Sequence, residues 1–381
     1  MAPNRASIIF ILVVLFLLIR PGIAQEAEDL FQSELTEASL AGDSSKVQVL
    51  ASEHRLWVKP VVNQLISDYI HRTMIGNKAR AASLKDAATL ISQTFEETYG
   101  EKSLSIATGY LDNWTMEQMG KKAQADRIFG IATDLRKNGQ SEEAIKEYHR
   151  ALELYLDIGD IRGEGEVMGG LGVIYWTIDS DTCLAYYMEA LRARQRVDDW
   201  VLTGNSLNSI GLVYFDHYGD LDLAIEYLLK AIKVRSETGN MLELGNSLAY
   251  LAQAYENKGE LELALVYYKQ AFLINQKAGS MLKSAESKLH SGSIMQQMGR
   301  YPGSLGDFES ALEIFSELKD TIYMGDVYTQ IAVVYENLGD YNTALEKLNA
   351  ASDLYNQVGE IWGLAGVYNH TGLVLQSADR K

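Results

Sequence analysis

Residues Met241–Ser280 read MLELGNSLAYLAQAYENKGELELALVYYKQAFLINQKAGS, and this stretch decides the fold. Leu248, Leu251, Ala252 and Tyr255 recur at i, i+3, i+4 and i+7, the spacing of one helical face. Gly259 breaks that helix, and Ala264, Tyr268 and Ala271 mark one face of a second. Two short helices, each with one apolar stripe, cannot bury that stripe alone. They must stack on copies of themselves.

The copies lie on both sides at a period of about 40 residues. One step back, Leu207, Ile210, Gly211, Tyr214, Gly219, Ala224 and Ala231 fall into register with one residue inserted before the turn. Met168, Leu171, Gly172, Tyr175, Cys183, Tyr187 and Ala190 precede them with one residue deleted, and Ile128, Ile131, Ala132, Gly139, Ala144, Tyr148 and Ala151 come earlier still. Forward, Gly292, Gly299, Phe308 and Ala311 follow a degraded first helix. Tyr328, Ile331, Ala332, Tyr335, Gly339, Ala344, Leu348 and Ala351 then repeat the pattern cleanly, and a last first-helix surrounds Tyr368 and Gly372.

These residues resemble the tetratricopeptide repeat: bulky–x2–Leu–Gly/Ala–x2–Tyr in helix A, then Ala–x3–Tyr/Phe–x2–Ala in helix B. That repeat is 34 residues long and ends near a proline. Here the unit is longer, and turns such as Gly159-Asp160, Gly239-Asn240 and Gly359-Glu360 replace the proline. The resemblance covers roughly 121–381. It implies an all-α fold, a right-handed superhelical α-solenoid of about six helix–turn–helix repeats. The units are expected near 121–160, 161–199, 200–240, 241–280, 281–320 and 321–360, with a half-unit at 361–381.

Residues 25–120 are helical but off-register, with helix-period residues in Leu56–Ile75 and Ala81–Tyr99 and a stop at Gly100. They are expected to cap the stack, and Thr115–Asn138 reads as one helix leading into the repeats. The segments Leu50–Leu56 and Trp114–Gln118, followed by long repeats, resemble the N-terminal half of exported bacterial proteins that join such repeats to a caspase-like CHAT domain. No catalytic half is present in these 381 residues.

The start reads as an address. Arg5 precedes the apolar run Ile8–Ile19, and Gly22-Ile23-Ala24 offers small residues before a cut at Gln25. The run is short for a bilayer span, so 1–24 is expected to be a signal peptide and the mature chain exported, periplasmic or secreted. Its removal takes Arg5 and Arg20 and no acid, moving the formal charge from −17 to −19. Nucleic acid is excluded as an expected partner by that charge. Cys183, the only cysteine, allows no intrachain disulfide and sits in the small-residue slot of its helix B.

Catalytic motifs are missing. There is no P-loop, H-E-x-x-H, nucleophile elbow or paired-cysteine spacing. The glycines Gly163, Gly165, Gly169, Gly170 and Gly172 follow the repeat, with no strand before them. The six histidines are scattered singly, His149 on the outer side of its helix B. Asn113-Trp114-Thr115 and Asn369-His370-Thr371 match the glycosylation pattern only as background. The expectation is a non-enzymatic protein with no cofactor and no metal.

Binding is expected on helix A, at the positions between those that pack the stack. Trp176 and Phe215 hold equivalent places in adjacent repeats and are expected side by side as anchors. Asn205, Asn208, Asn246 and Gln253 form an amide line suited to an extended backbone, with Tyr250, His290 and Gln330 beside it. The positions where some tetratricopeptide proteins carry Lys or Arg hold Asn208, Ala249, Leu289 and Thr329 instead. A basic or neutral segment therefore fits better than a carboxylate tail. An apolar second interface is expected on Ile361–Gln376, at Trp362, Leu364, Val367, Leu373 and Leu375, serving a homodimer, the docking of another domain or protein, or a continuation of the stack in a longer product.

The function expected from these residues is a non-enzymatic protein–protein interaction scaffold that captures a peptide or protein segment in the concave groove lined by the A helices. The alternatives are a peptide-responsive regulatory module controlling a separate effector, and the targeting half of a caspase-like protease.

Overall fold

The computed structural model describes residues 21–378. The signal run Ile8–Ile19 and Arg5 lie outside the described residues. In chain order the helices are α1 (Pro21–Leu40), α2 (Ser44–Glu53), α3 (Arg55–Met74), α4 (Lys78–Tyr99), α5 (Ser103–Asn113) and α6 (Met116–Lys137). Next come α7 (Ser141–Ile158), α8 (Ile161–Tyr175), α9 (Ser180–Arg196), α10 (Trp200–Val213), a π-helical stretch Tyr214–Tyr218, and α11 (Leu221–Thr238). The remainder is α12 (Met241–Asn257), α13 (Leu261–Lys277), α14 (Met281–Gln297), α15 (Tyr301–Leu318), α16 (Thr321–Leu338), α17 (Tyr341–Val358) and α18 (Ile361–Ala378). No strand occurs among the described residues, and none of their helices is long and apolar enough to cross a membrane.

The chain divides into two compact units. Unit 1 comprises 21–218 and 233–240, and unit 2 comprises 219–232 and 241–378. In both, successive helices pair: α6 on α7, α8 on α9, α12 on α13, α14 on α15 and α16 on α17. The fold is an all-α stack of helix pairs.

Two small-to-large contacts build each pair. Gly172 on α8 faces Tyr187 on α9 so closely that a Cβ there would lie 2.6 Å from the ring, and Gly292 stands in the same relation to Phe308. Where the position holds alanine, as at Ala252 opposite Tyr268, both residues join one apolar cluster. Each buried ring of this kind contributes about 1.5–3 kcal/mol. The second contact lies near the end of helix B, at Tyr155, Arg194, Arg235, Asn275, Phe315 and Tyr355. Five of the six lie beside a glycine of a helix A, as Gly204 meets Arg235, Gly245 meets Asn275 and Gly325 meets Tyr355, and Phe315 shares an apolar cluster with Ala285.

The turns repeat as well. Gly159 and Gly359 end α7 and α17 at φ of 70°, and Asp198 and Lys319 take the same left-handed place at φ 53° and 56°. The following residue caps the next helix A: Asp160, Asp199 and Asp320 accept backbone N–H bonds from Gly163, Leu202 and Tyr323. The residue inserted in the 200–240 repeat is absorbed by the π-helical stretch, which holds one more residue per turn.

In unit 1 one apolar core runs from Phe31 to Ile174, so the N-terminal helices and the first repeats share it. Trp114 seals the join, its indole N–H donating to the Ile158 carbonyl at 3.1 Å. Helix α3 does more than close an end. Arg55 donates to the Glu237 carbonyl, Lys59 pairs with Asp199 at 2.7 Å, and Arg162 donates to Asn63. Successive turns of α3 thus touch successive repeats. Lys59 also pairs with Glu101 at 2.5 Å, and the side chains of both its acidic partners are almost fully buried.

Unit 2 is built more regularly, with apolar clusters at each junction between pairs. Helix α18 packs on α16 and α17.

Candidate functional site

In unit 2 a recess of about 110 Å³ opens where α12, α13 and α14 meet. Asn246, Tyr250 and Gln253 line it from α12, spaced i, i+4 and i+7 and therefore on one helical face. Lys283, Glu286, Ser287 and His290 line it from α14, and Tyr268 and Asn275 form its floor from α13. The sequence pattern marked Asn246, Tyr250, Gln253 and His290, and the fold brings these four together.

The floor is fixed by hydrogen bonds. The Tyr268 hydroxyl donates to Glu256 at 3.0 Å, and its ring stacks on His290 with centroids 5.1 Å apart. Burial and the Glu256 carboxylate both push the Tyr268 phenol above its ordinary pKa. Partial desolvation holds the His290 imidazole below its usual value, with Glu256 and Glu286 acting the other way. Asn275 is buried beside Gly245. Its amide N–H reaches the Lys283 carbonyl at 3.4 Å, while its Oδ1 has no hydrogen-bond partner. Glu286 pairs with Lys283 at 2.8 Å and accepts from the Tyr323 hydroxyl at 3.0 Å, which helps raise that phenol to about 12 after burial, the larger cause.

A second hollow of about 470 Å³ continues past His290, with Gln330, Asp326, Tyr355 and Trp362 among its walls. His290 borders both spaces, and Gln330 lies in the second. The Tyr355 hydroxyl donates to Asp326 at 2.6 Å. Tyr250 is exposed, so recess and hollow offer neutral donors, acceptors and an aromatic ring to solvent.

Unit 1 departs from the sequence expectation. Asn205 and Asn208 do not present free amides. Their Oδ1 atoms accept from Arg235 at 3.0 and 2.9 Å, and Asn208 is buried. The cause is the helix B slot described above, which holds a guanidinium in this repeat. Trp176 and Phe215 do not form a ring pair either. Trp176 meets His217 edge-on at 4.6 Å, because the π-helical stretch shifts the residues after Tyr214 relative to a regular helix.

On α18 the expected apolar face divides. Trp362, Leu373 and Leu375 are exposed, Trp362 at 86%. Val367 is buried and Leu364 packs partly beside it against α16 and α17, so both belong to the internal core. A continuous five-residue patch is ruled out by the helix period, which turns positions 364 and 367 inward.

No group of three or more His, Cys, Asp or Glu suited to a metal occurs among the described residues. Cys183 is fully buried, its thiol donates to the Gly172 carbonyl at 3.3 Å, and burial pushes it up to about 11.

The tetratricopeptide repeat model matches residues 179–237 and 284–357, and a second model of the same description matches 247–277. No curated protein sequence gives a significant match. Among solved structures, the chain is similar to aspartyl phosphate phosphatase F from Bacillus subtilis, at 14% identity and a TM-score of 0.52, covering 84% of this chain and 80% of that one. It is similar to BtubC (BKLC) from P. vanneervenii at 20% identity and a TM-score of 0.51, covering 59% and 92%. The apo form of RapI matches at 13% identity and a TM-score of 0.50, covering 68% and 100%. At such identities the likeness concerns the fold. The matched segments are tetratricopeptide repeats, and the paired helices and these neighbours share the corresponding helical-repeat fold.

Proposed function

We propose that the protein is an interaction scaffold whose unit 2 holds an extended, neutral or basic segment of a partner protein. One observation carries this reading: Asn246, Tyr250 and Gln253 from α12 converge with His290 from α14 on a single recess. Amide side chains pair with a backbone whatever its sequence, and Tyr250 adds a rigid aromatic surface. The formal charge of −17 favours a basic segment over an acidic one.

The test is selection from a displayed library of random peptides, followed by affinity measurement. Selected peptides are expected to lose at least about tenfold in affinity on Tyr250→Ala or Gln253→Ala, and none on Leu273→Ala, which alters an exposed residue of α13. Equal binding by all three variants would refute the assignment.

We further propose export. The support is Arg5, the apolar run Ile8–Ile19 and the small residues before Gln25. N-terminal sequencing of protein recovered outside the cytoplasm is expected to begin at Gln25, and recovery of Met1 there would refute it.

A further inference from the structure

A cavity in unit 1 is left unused by the scaffold reading. It measures about 200 Å³ and lies among α3, α5, α6, α7 and α8. That volume equals roughly six or seven waters at liquid density, room for a compact organic molecule.

Its charged groups are not all partnered. Lys122 is satisfied, with its ammonium 2.5 Å from Asp126, 3.0 Å from Asp160 and 5.0 Å from the centre of the Tyr155 ring. The Tyr155 hydroxyl donates to Asp126 at 2.7 Å, and Asp160 caps α8. Arg162 donates to Asn63 at 3.2 Å while its buried Nε has no partner. Glu166 remains. Its carboxylate lines the cavity, and no hydrogen bond or ion pair joins it to any described residue. Burial raises its pKa, with Arg162 and Lys122 opposing. Of the three carboxylates that line the cavity, Glu166 is thus the one without a direct partner, with the charges of Arg162, Lys122 and Arg194 near it.

Aromatic rings line the same cavity. Tyr110 and Trp114 stack with centroids 5.0 Å apart and an interplanar angle of 11°, and Phe129 stands beside them. An unpartnered carboxylate and electron-rich rings in one cavity are the combination that recognises an organic cation.

We propose that this cavity binds an alkylammonium group, with Glu166 as its counter-ion and Tyr110 and Trp114 as its aromatic wall. The same group reaches the cavity either as a free small amine or as the lysine side chain of a bound polypeptide. The proposal stands independently of the unit 2 recess.

Calorimetry on the full chain tests it, with n-butylammonium as the probe and butyrate and n-butanol as charge controls. n-Butylammonium is expected to bind with a millimolar or lower Kd, and the two controls to give no binding. Glu166→Gln, which keeps shape and removes charge, is expected to weaken binding about tenfold or more. Tyr250→Ala is expected to leave it intact. Nα-acetyl-lysine amide separates the sources: binding as tight as n-butylammonium assigns the site to a lysine side chain, and exclusion assigns it to a free amine. Equal binding of n-butanol, no binding of n-butylammonium, or unchanged affinity in a folded Glu166→Gln protein would overturn the proposal. Should that variant fail to fold, the comparison among the three probes on the unaltered protein decides.

Discussion

Two glycine-to-alanine substitutions should move stability in opposite directions. In the middle of a helix, alanine is favoured over glycine by about 1 kcal/mol. At Gly130 on α6 an added Cβ meets nothing within 4 Å, so Gly130→Ala keeps that gain of about 0.5–1 kcal/mol. At Gly292 the added Cβ falls 2.6 Å from Phe308 Cε1 and 2.7 Å from Cδ1. Phe308 is fully buried, and its ring has nowhere to retreat without displacing its neighbours. Overpacking of this kind costs about 1–3 kcal/mol, which outweighs the propensity gain and leaves Gly292→Ala destabilised by about 1 kcal/mol. Stacked repeats need not unfold in one step, so the assay is hydrogen exchange resolved by helix pair. Protection is expected to rise in α6–α7 for the first variant and fall in α14–α15 for the second. Stabilisation of α14–α15 by Gly292→Ala would show that the small-to-large contact does not set the spacing of the pair.

Other outcomes follow from the buried groups. Lys59→Met leaves the buried Glu101 and Asp199 carboxylates without their shared ammonium and is expected to cost unit 1 about 3 kcal/mol in chemical denaturation; a loss under about 1 kcal/mol would contradict the pairing. The folded-state pKa of Glu166 lies above its unfolded value of about 4.3, so its ionisation opposes folding. Its destabilising effect is absent at low pH and grows as pH rises through the folded pKa, with Lys122, Asp126, Asp160, Arg162, Tyr110 and Tyr155 facing the same cavity and Arg194 of α9 also acting on it. Glu166→Gln is therefore expected to match the unaltered protein near pH 4 in thermal melts and exceed it at pH 7, and a constant or reversed gap would count against this. The Cys183 thiol, buried and raised to about 11, should react with iodoacetamide at pH 8 far more slowly in native protein than in urea, and equal rates would refute its burial.

Much of the fold was legible because it depends on local spacing. The alternation of Gly or Ala with Tyr or Phe, and the recurring turn glycines, are readable at a fixed period without any distant contact. The slot at the end of helix B was harder to see because its residue changes, from Tyr155 to Arg194, Arg235, Asn275, Phe315 and Tyr355. Aligning helix ends at the repeat period would have exposed it, and with it the engagement of Asn205 and Asn208 by Arg235. The one-residue insertion was visible, but its absorption as a π-helical stretch depends on how the backbone relaxes, which placed His217 rather than Phe215 against Trp176. The path of α3 across successive repeats was not readable at all. It depends on long-range pairs such as Lys59 with Asp199, which carry no periodic signature. The unit 1 cavity was hidden for the same reason.

The recess between α12 and α14 is the proposed seat of a partner segment. Photo-cross-linking tests this most directly, with benzoylphenylalanine replacing Tyr250 at the recess or Leu273 on the outer helix, in the presence of a selected peptide. Adducts formed from the Tyr250 position and absent from the Leu273 position are the result predicted. Adducts from Leu273 alone, or equally from both, would contradict it.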